Sequence, residues 1–574
     1  MCPECSISYL KEQIIPYIGN KRRLLGLIQQ AIYQAVGNDT GRLTFLDLFS
    51  GSGVVSRLAK YLGFEVHAND WEHYSYILNF AYLCINRGDL RGMYGGRGGV
   101  DGVRLYLNTL APPSPGEEYI ARYFCPKNDS APDYRTERLF YTRENGIFID
   151  KVRNEIEALY PEELFCNDTV RGKEKTLLVA LLLHGAATHT NTSGVFKAYH
   201  KGFGGLSQDA LSRILRPISL PHPVLIDSAR TMHVYRENAN SLVKQSRFSQ
   251  TLFDIAYIDP PYNQHQYGSN YHMLNTIALW DGVELNERIA PGEPGQNRGG
   301  IRSDWIKTRS EYCYKNRALS AFEDLIAHTN ARRILISYST EGTIPFERLI
   351  NVCAKRGRVS LLTNEYVKYR GGRQSLYRLN NNIEFVIIVN TEKKSTSRDI
   401  AVIGRSILYR KLLLQAKKCY SRERLERCFD ADRLSGCIIF SEGNDSCSIE
   451  TERLFRIDGR SLETAVNAIS QDGRKSLYER LQYCECRDVA EQIEETIRAV
   501  VEDKECDSSP TINSSLIRAL PGSLKKICYK KYKTLFFRCL ARIKQLEVQC
   551  PASYERIEKK IMEVEALSKK RFGI

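Results

Sequence analysis

The residues best suited to chemistry are Asp259-Pro260-Pro261-Tyr262, which directly follow the apolar run Phe253–Ile258. A buried strand of this kind delivers a carboxylate, a rigid proline pair and an aromatic ring to one place. Asp259 and the Pro260 carbonyl are two acceptors for the two hydrogens of an exocyclic amine, and Tyr262 can stack on the ring that carries it. A base handled in this way must first leave its duplex, an extrusion whose cost is offset by stacking and edge contacts in a pocket. The competing reading is a strand that simply ends in a prolyl turn.

Positioning such a motif requires a parallel sheet, and the upstream sequence supplies strand and helix signals. Leu43–Asp47 reads as a buried strand, Phe49-Ser50-Gly51-Ser52-Gly53 as a glycine turn, and Val54–Leu62 as an amphipathic helix. Small residues in that turn let a ligand approach the backbone where open α/β sheets bind ligands. The third glycine of a dinucleotide fingerprint is missing, which favours a nucleoside over a pyrophosphate cofactor. A second strand, Glu65–Asn69, ends at Asp70, an acid suited to a ribose diol. Ahead of both, Ile14–Arg22 is a short extended segment that turns into a helix.

Together these elements resemble the Dam-like D12 class of adenine-N6 DNA methyltransferases, over roughly residues 10–392. The resemblance implies a Rossmann-like α/β methyltransferase sheet with a helical insertion for target recognition. It also implies S-adenosylmethionine as cofactor. Its amino-acid end would be clamped by the segment containing Tyr17, Asn20 and Lys21, with the lysine near the cofactor carboxylate. The loop of Phe49, Gly51, Ser52 and Gly53 and the ribose acid Asp70 would complete the cradle. Asn238 and Asn240 fall in a segment that lies near the cofactor adenine in the family, with Asn238 where an Asp is usual. Asp259, Pro260 and Tyr262 match the catalytic motif. Cofactor motifs come first and the catalytic motif last, which resembles the alpha arrangement of restriction-modification members.

On this reading residues 1–84 form the cofactor half, 85–230 the insertion and 231–392 the catalytic half. Residues 393–400 read as a linker and 401–574 as a mainly helical accessory domain. The glycine-rich stretch 91–102 reads as a loop. In Thr190–Phe203, polar, basic and aromatic residues interleave. Lys197, His200 and Lys201 suit phosphates, while Asn191 and rings such as Tyr199 suit bases. A polar loop with packed aromatics is the alternative. The later segment contains basic helix patterns at 406–418 and 524–570 and a short strand at 437–440, suited to DNA binding or to protein packing.

Composition is compatible with this picture. The 574 residues carry 82 Lys+Arg against 67 Asp+Glu, a formal charge of +15 that favours polyanionic partners. The 17 cysteines, with no signal peptide and no long apolar stretch, read as reduced thiols in a cytoplasm with no membrane association. Cys2 and Cys5 have knuckle spacing without a second ligand pair, so no metal is expected. The expectation is a monomeric, site-specific enzyme acting on double-stranded DNA, with any cognate restriction endonuclease a separate protein. The alternatives are a DNA-binding protein that lost catalysis and a bifunctional methylase-endonuclease.

Overall fold

The computed structural model describes residues 8–161, 165–205, 208, 210–289, 297–364, 382–432, 436–452, 456–502 and 512–574; Cys2 and Cys5 lie outside them. Its centre is a seven-stranded sheet of β1 (Thr44–Asp47), β2 (Glu65–Asn69), β3 (Met232–Tyr235), β4 (Phe253–Ile258), β5 (Ala331–Ser339), β6 (Arg358–Asn364) and β7 (Glu384–Asn390). The order is β3-β2-β1-β4-β5-β7-β6. The first five strands are parallel, and β7 runs antiparallel between β5 and β6. Central strands buried on both faces become near-continuous apolar runs, as in Ile255–Ile258 and Ile334–Ile336.

Helices Leu25–Val36 and Val54–Tyr61 bury Ile28, Ile32, Val55 and Leu58 against Phe45, Tyr257, Leu335 and Val386 of the sheet. Because β1 is flanked by β2 on one side and β4 on the other, the chain reverses direction of travel across the sheet there. Such a switch point opens a crevice beyond the strands' carboxyl ends.

The insertion between β2 and β3 is helical. Arg143–Leu159 and Val170–His189 start at Thr142 and Thr169, whose hydroxyls accept from the backbone N–H three residues on. The stretch 91–102 is not a continuous loop: 3-10 turns at Arg87–Arg91 and Gly95–Arg97 lead into the helix Gly99–Asn108. Val100, Val103 and Leu107, spaced three and four apart, are buried, and that packing outweighs the low helix propensity of the glycines.

The chain divides into one compact unit of residues 1–366 with 384–400, and a second of 367–383 with 401–574. The stretch 393–400 is also corrected, because the helix Ser397–Gln415 begins inside it. Thr396 and Asp399 exchange hydrogen bonds, Thr396 N to Asp399 Oδ2 at 2.9 Å and Asp399 N to the Thr396 hydroxyl at 3.2 Å, a capping box that starts the helix before the apolar pattern does. Helices dominate the second unit, including Ile512–Lys526, Lys533–Lys544 and Pro551–Phe572. They accompany a four-stranded antiparallel sheet, β11-β10-β9-β8, of β8 (Asp430–Asp432), β9 (Cys437–Glu442), β10 (Asp445–Glu452) and β11 (Arg456–Ile457). Among the described residues, no helix is long and apolar enough to cross a membrane.

Candidate active site

The crevice floor is the turn after β1. Ser50 N donates to Asn69 O (2.9 Å) and Gly53 N to Ser50 O (2.8 Å), which ties the turn to the end of β2. Gly51 (φ +53°) and Gly53 (φ +75°) adopt left-handed backbone. A β-carbon on Gly51 would lie 2.7 Å from the Tyr17 ring, and one on Gly53 would lie 2.7 Å from Asn79 Oδ1. Phe49 meets Tyr312 edge-on with ring centroids 5.4 Å apart, and Ser52 is buried within the turn.

Two acids border this turn. Asp47, fully buried, accepts from the Ser56 hydroxyl at 2.6 Å; burial, reinforced by the charges of Asp259 and Asp70, pushes its carboxyl up to about 7. Asp70 accepts from Gly51 N (2.8 Å) and Glu72 N (2.9 Å). Burial raises its pKa despite those bonds. The Ser75 hydroxyl and the Trp71 backbone also bond to it, so the carboxylate is held at the rim of the turn.

The segment 17–21 is stapled to the region after the catalytic motif. Ile18 N donates to the Tyr271 hydroxyl (2.7 Å), and the Tyr267 hydroxyl donates to Ile18 O (3.1 Å). Tyr17 stacks on Tyr271 with centroids 5.0 Å apart and lies 5.3 Å from Tyr267. Asn20 caps the following turn by accepting from Arg22 N at 2.8 Å.

That geometry carries Lys21, only 2% exposed, onto Asp259: Nζ is 2.8 Å from Oδ1, 3.2 Å from Gly19 O and 4.9 Å from the Tyr262 ring centroid. Glu384, the buried first residue of β7, supplies the second carboxylate of this group. Burial lowers the Lys21 pKa, but Asp259 and Glu384 together more than reverse it, so the ammonium is held protonated. For Asp259 burial is the largest effect; Lys21 opposes it, Glu384 adds to it, and the carboxyl settles at about 6. Tyr262 is buried nearly edge-on to Tyr338, with centroids 5.5 Å apart, and its carbonyl accepts from Thr343 N at 3.1 Å.

The segment after β3 lies differently. Asn238 caps a short helix by accepting from Ser241 N at 3.1 Å. Asn240 donates to Ala321 O and Asp324 Oδ2, both at 2.8 Å, and accepts from the Tyr312 hydroxyl at 2.8 Å. These bonds join it to the helix Ala318–His328, and through Tyr312 to Phe49. In the 190–203 loop, Asn191 is fully buried: it donates to Leu139 O at 2.9 Å and accepts from Gly204 N at 3.1 Å. The expectation that Asn191 meets bases is therefore corrected, because its amide is consumed in holding the loop. Lys197 and Lys201 are exposed, Lys201 over the Tyr134 ring at 5.4 Å. His200 is half-buried, and Tyr199 donates to Glu137 O at 3.1 Å.

The structure thus gathers residues 17–21, 49–53, 70 and 259–262 into one crevice and leaves Lys197, Tyr199, His200 and Lys201 on a separate loop. Sequence reading placed Tyr267, Tyr271 and Glu384 within the family resemblance but gave them no site role, and it missed Glu72, whose carboxyl takes a 2.6 Å bond from Asn275 and is pushed by burial to about 7. The i, i+4 tyrosines were a visible signal. An isolated acid at the start of β7 gave none.

A family model described as D12 class N6 adenine-specific DNA methyltransferase matches residues 17–288. Among characterised proteins, the chain is similar to the type II methyltransferase M.NlaIII of Neisseria lactamica, 32% identical over 62% of this chain and 93% of that protein. It is also similar to the modification methylase LlaI of Lactococcus lactis subsp. lactis (30% identical; 67% and 56%) and to the type II methyltransferase M.FokI of Planomicrobium okeanokoites (32%; 59% and 47%). The chain accordingly spans about half the length of these last two. No solved structure matches it.

Proposed function

The chain belongs to the D12 class of N6 adenine-specific DNA methyltransferases, and from that premise we propose that it binds S-adenosylmethionine in the 17–70 crevice and methylates an adenine flipped out of duplex DNA. The proposal rests on one observation above all: the carboxylate of Asp259, at the end of β4, stands beside the glycine turn of the adjacent strand β1 and is held there by Lys21. The cradle fits the cofactor. Its glycines leave no room for side chains at the turn, and Asp70 at the end of β2 is the acid that would hold the ribose. Tyr17, Asn20 and Lys21 would border the amino-acid end, and Phe49, Asn238 and Asn240 the adenine side.

Adenine N6 is a poor nucleophile because its lone pair is delocalised into the ring. Asp259 and the Pro260 carbonyl each accept one N6 hydrogen, which localises that pair on nitrogen. When bound, S-adenosylmethionine supplies a methyl group on a positively charged sulfur, which the N6 pair takes while the carbon–sulfur electrons stay with sulfur. The positive charge that develops on nitrogen faces Asp259, so the carboxylate stabilises the transition state more than the ground state. N6 then releases one proton to Asp259, whose raised affinity for a proton suits it to receive and pass it to water. Lys21 fixes the carboxylate, and Tyr262 stacks the base.

Lys197, Tyr199, His200 and Lys201 would meet the DNA from the insertion, and residues 401–574 would add an accessory DNA contact. We place the enzyme in the cytoplasm as a monomer, as the modification partner of a separate restriction endonuclease. The test is to incubate the protein with labelled S-adenosylmethionine and duplex DNA and digest to nucleosides. Label in N6-methyldeoxyadenosine is expected; label confined to cytosine or to RNA overturns the reading.

A further inference from the structure

At the other end of the sheet, away from the crevice, Glu65, His67 and His233 converge. Glu65 and His67 are two apart on β2 and so share a face, and His233 pairs with His67 across the β2–β3 ladder. One atom from each, a carboxylate oxygen and two imidazole nitrogens, lie within 4.8 Å of one another. His67 Nε2 is 3.5 Å and His233 Nε2 is 3.7 Å from the same oxygen, Glu65 Oε1. Both separations exceed a normal N–H···O bond. They approach the spacing of about 3.4 Å between neighbouring ligands on a tetrahedral ion with bonds of about 2.0–2.1 Å.

The surroundings are those of a ligand shell. The rings of His67 and His233 stack with centroids 4.4 Å apart, which aligns both Nε2 atoms. His67 Nδ1 is 3.0 Å from the Tyr235 hydroxyl, an outer partner that orients the ring with Nε2 towards Glu65. Phe253 closes on His67 edge-on. The side chains of His233 and Glu65 are 37% and 31% exposed, which leaves a path for the ion and for a fourth ligand from water. A Glu with two neutral imidazoles suits a zinc-class divalent ion.

We propose that Glu65, His67 and His233 form a binding site for a zinc-class divalent metal ion that joins the edge strand β3 to β2. Among the described residues β3 is an edge strand, paired with β2 alone, and it leads into Glu237, which exchanges two 3.1 Å hydrogen bonds with Asn69. The ion therefore acts as a structural clamp on the strand that presents Asn238 and Asn240.

The test titrates cobalt(II) and zinc(II) alone into the metal-stripped full chain and into Glu65→Gln and His233→Gln variants. The wild type should take up one equivalent more than either variant. Its visible cobalt spectrum should lack a thiolate charge-transfer band, which separates this site from the cysteines, and zinc should raise the melting temperature of the wild type alone. Equal uptake by all three proteins, or a thiolate band accounting for all bound cobalt, overturns the proposal. Should His233→Gln fail to fold, Glu65→Gln carries the same comparison at a partly exposed carboxylate, its fold checked by metal-free melting.

Discussion

In the crevice beyond β1, β2 and β4, ionisable groups are buried against one another: Lys21 against Asp259 and Glu384, Asp70 against backbone N–H groups. Along residues 190–203 the arrangement is inverted. There the buried polar groups, Thr190, Asn191 and Thr192, are neutral, with the Asn191 amide bonded to backbone, and the charges of Lys197 and Lys201 face solvent. Groups that must act on one atom are desolvated and fixed, since a charge in a low-dielectric site interacts more strongly. On the proposed reading, groups that would meet a polyanion stay hydrated and act through number and salt-sensitive attraction.

The sharpest way to break this contrast is Asp259→Ala. Single-turnover methyl transfer should fall by about a thousandfold, in the range for removing one preorganised group that stabilises the transition state, with cofactor affinity by calorimetry largely kept. Equal loss of cofactor binding would place Asp259 in the cradle instead. The same carboxylate sets a pH dependence. Its pKa is raised, to about 6, so the accepting form is present above that value, and the wild-type single-turnover rate should drop about tenfold per unit below it.

Lys21→Met comes next. It strands Asp259 without the cation it is paired with, and denaturant unfolding should report a loss of about 3–5 kcal/mol, the cost of breaking a buried pair. A variant as stable as wild type would mean that water already screens the pair. Asn191→Ala tests the loop and should cost about 1–3 kcal/mol, the penalty for leaving buried backbone groups unsatisfied, with little change in the salt dependence of DNA binding. Lys197→Ala and Lys201→Ala should do the reverse. Stability holds, DNA affinity falls a few-fold, and the slope of log affinity against log salt drops by about one for each phosphate that is no longer neutralised.

The same contrast explains what the sequence made legible. β2 and β4 can be read residue for residue because a strand's burial is written in consecutive side chains. Asp259 and the glycine turn were found for the same reason, each motif being contiguous. The pairing of Lys21 with Asp259 was not, since it joins distant segments through a fold, and Lys21 was read instead as a cofactor contact. The helix Gly99–Asn108 hid behind glycines because its apolar spacing begins only at Val100. The start of the helix at Ser397 is written in Thr396 and Asp399, two polar residues that a compositional reading takes for linker. Asn191 looked like a base reader because residue type does not reveal which polar groups face inward.

The antiparallel course of β7 sets a timetable for making the protein. Because that strand runs backwards between β5 and β6, its first residue, Glu384, arrives beside Asp259 and beside Lys21, which precedes it by most of the unit. A chain emerging amino end first presents the glycine turn 49–53 early and Asp259-Pro260-Pro261-Tyr262 later, but it cannot complete the charge balance around Asp259 until residue 384 has been synthesised. Nascent and truncated forms that stop short of it should therefore possess every recognisable motif and still lack the finished electrostatics of the site.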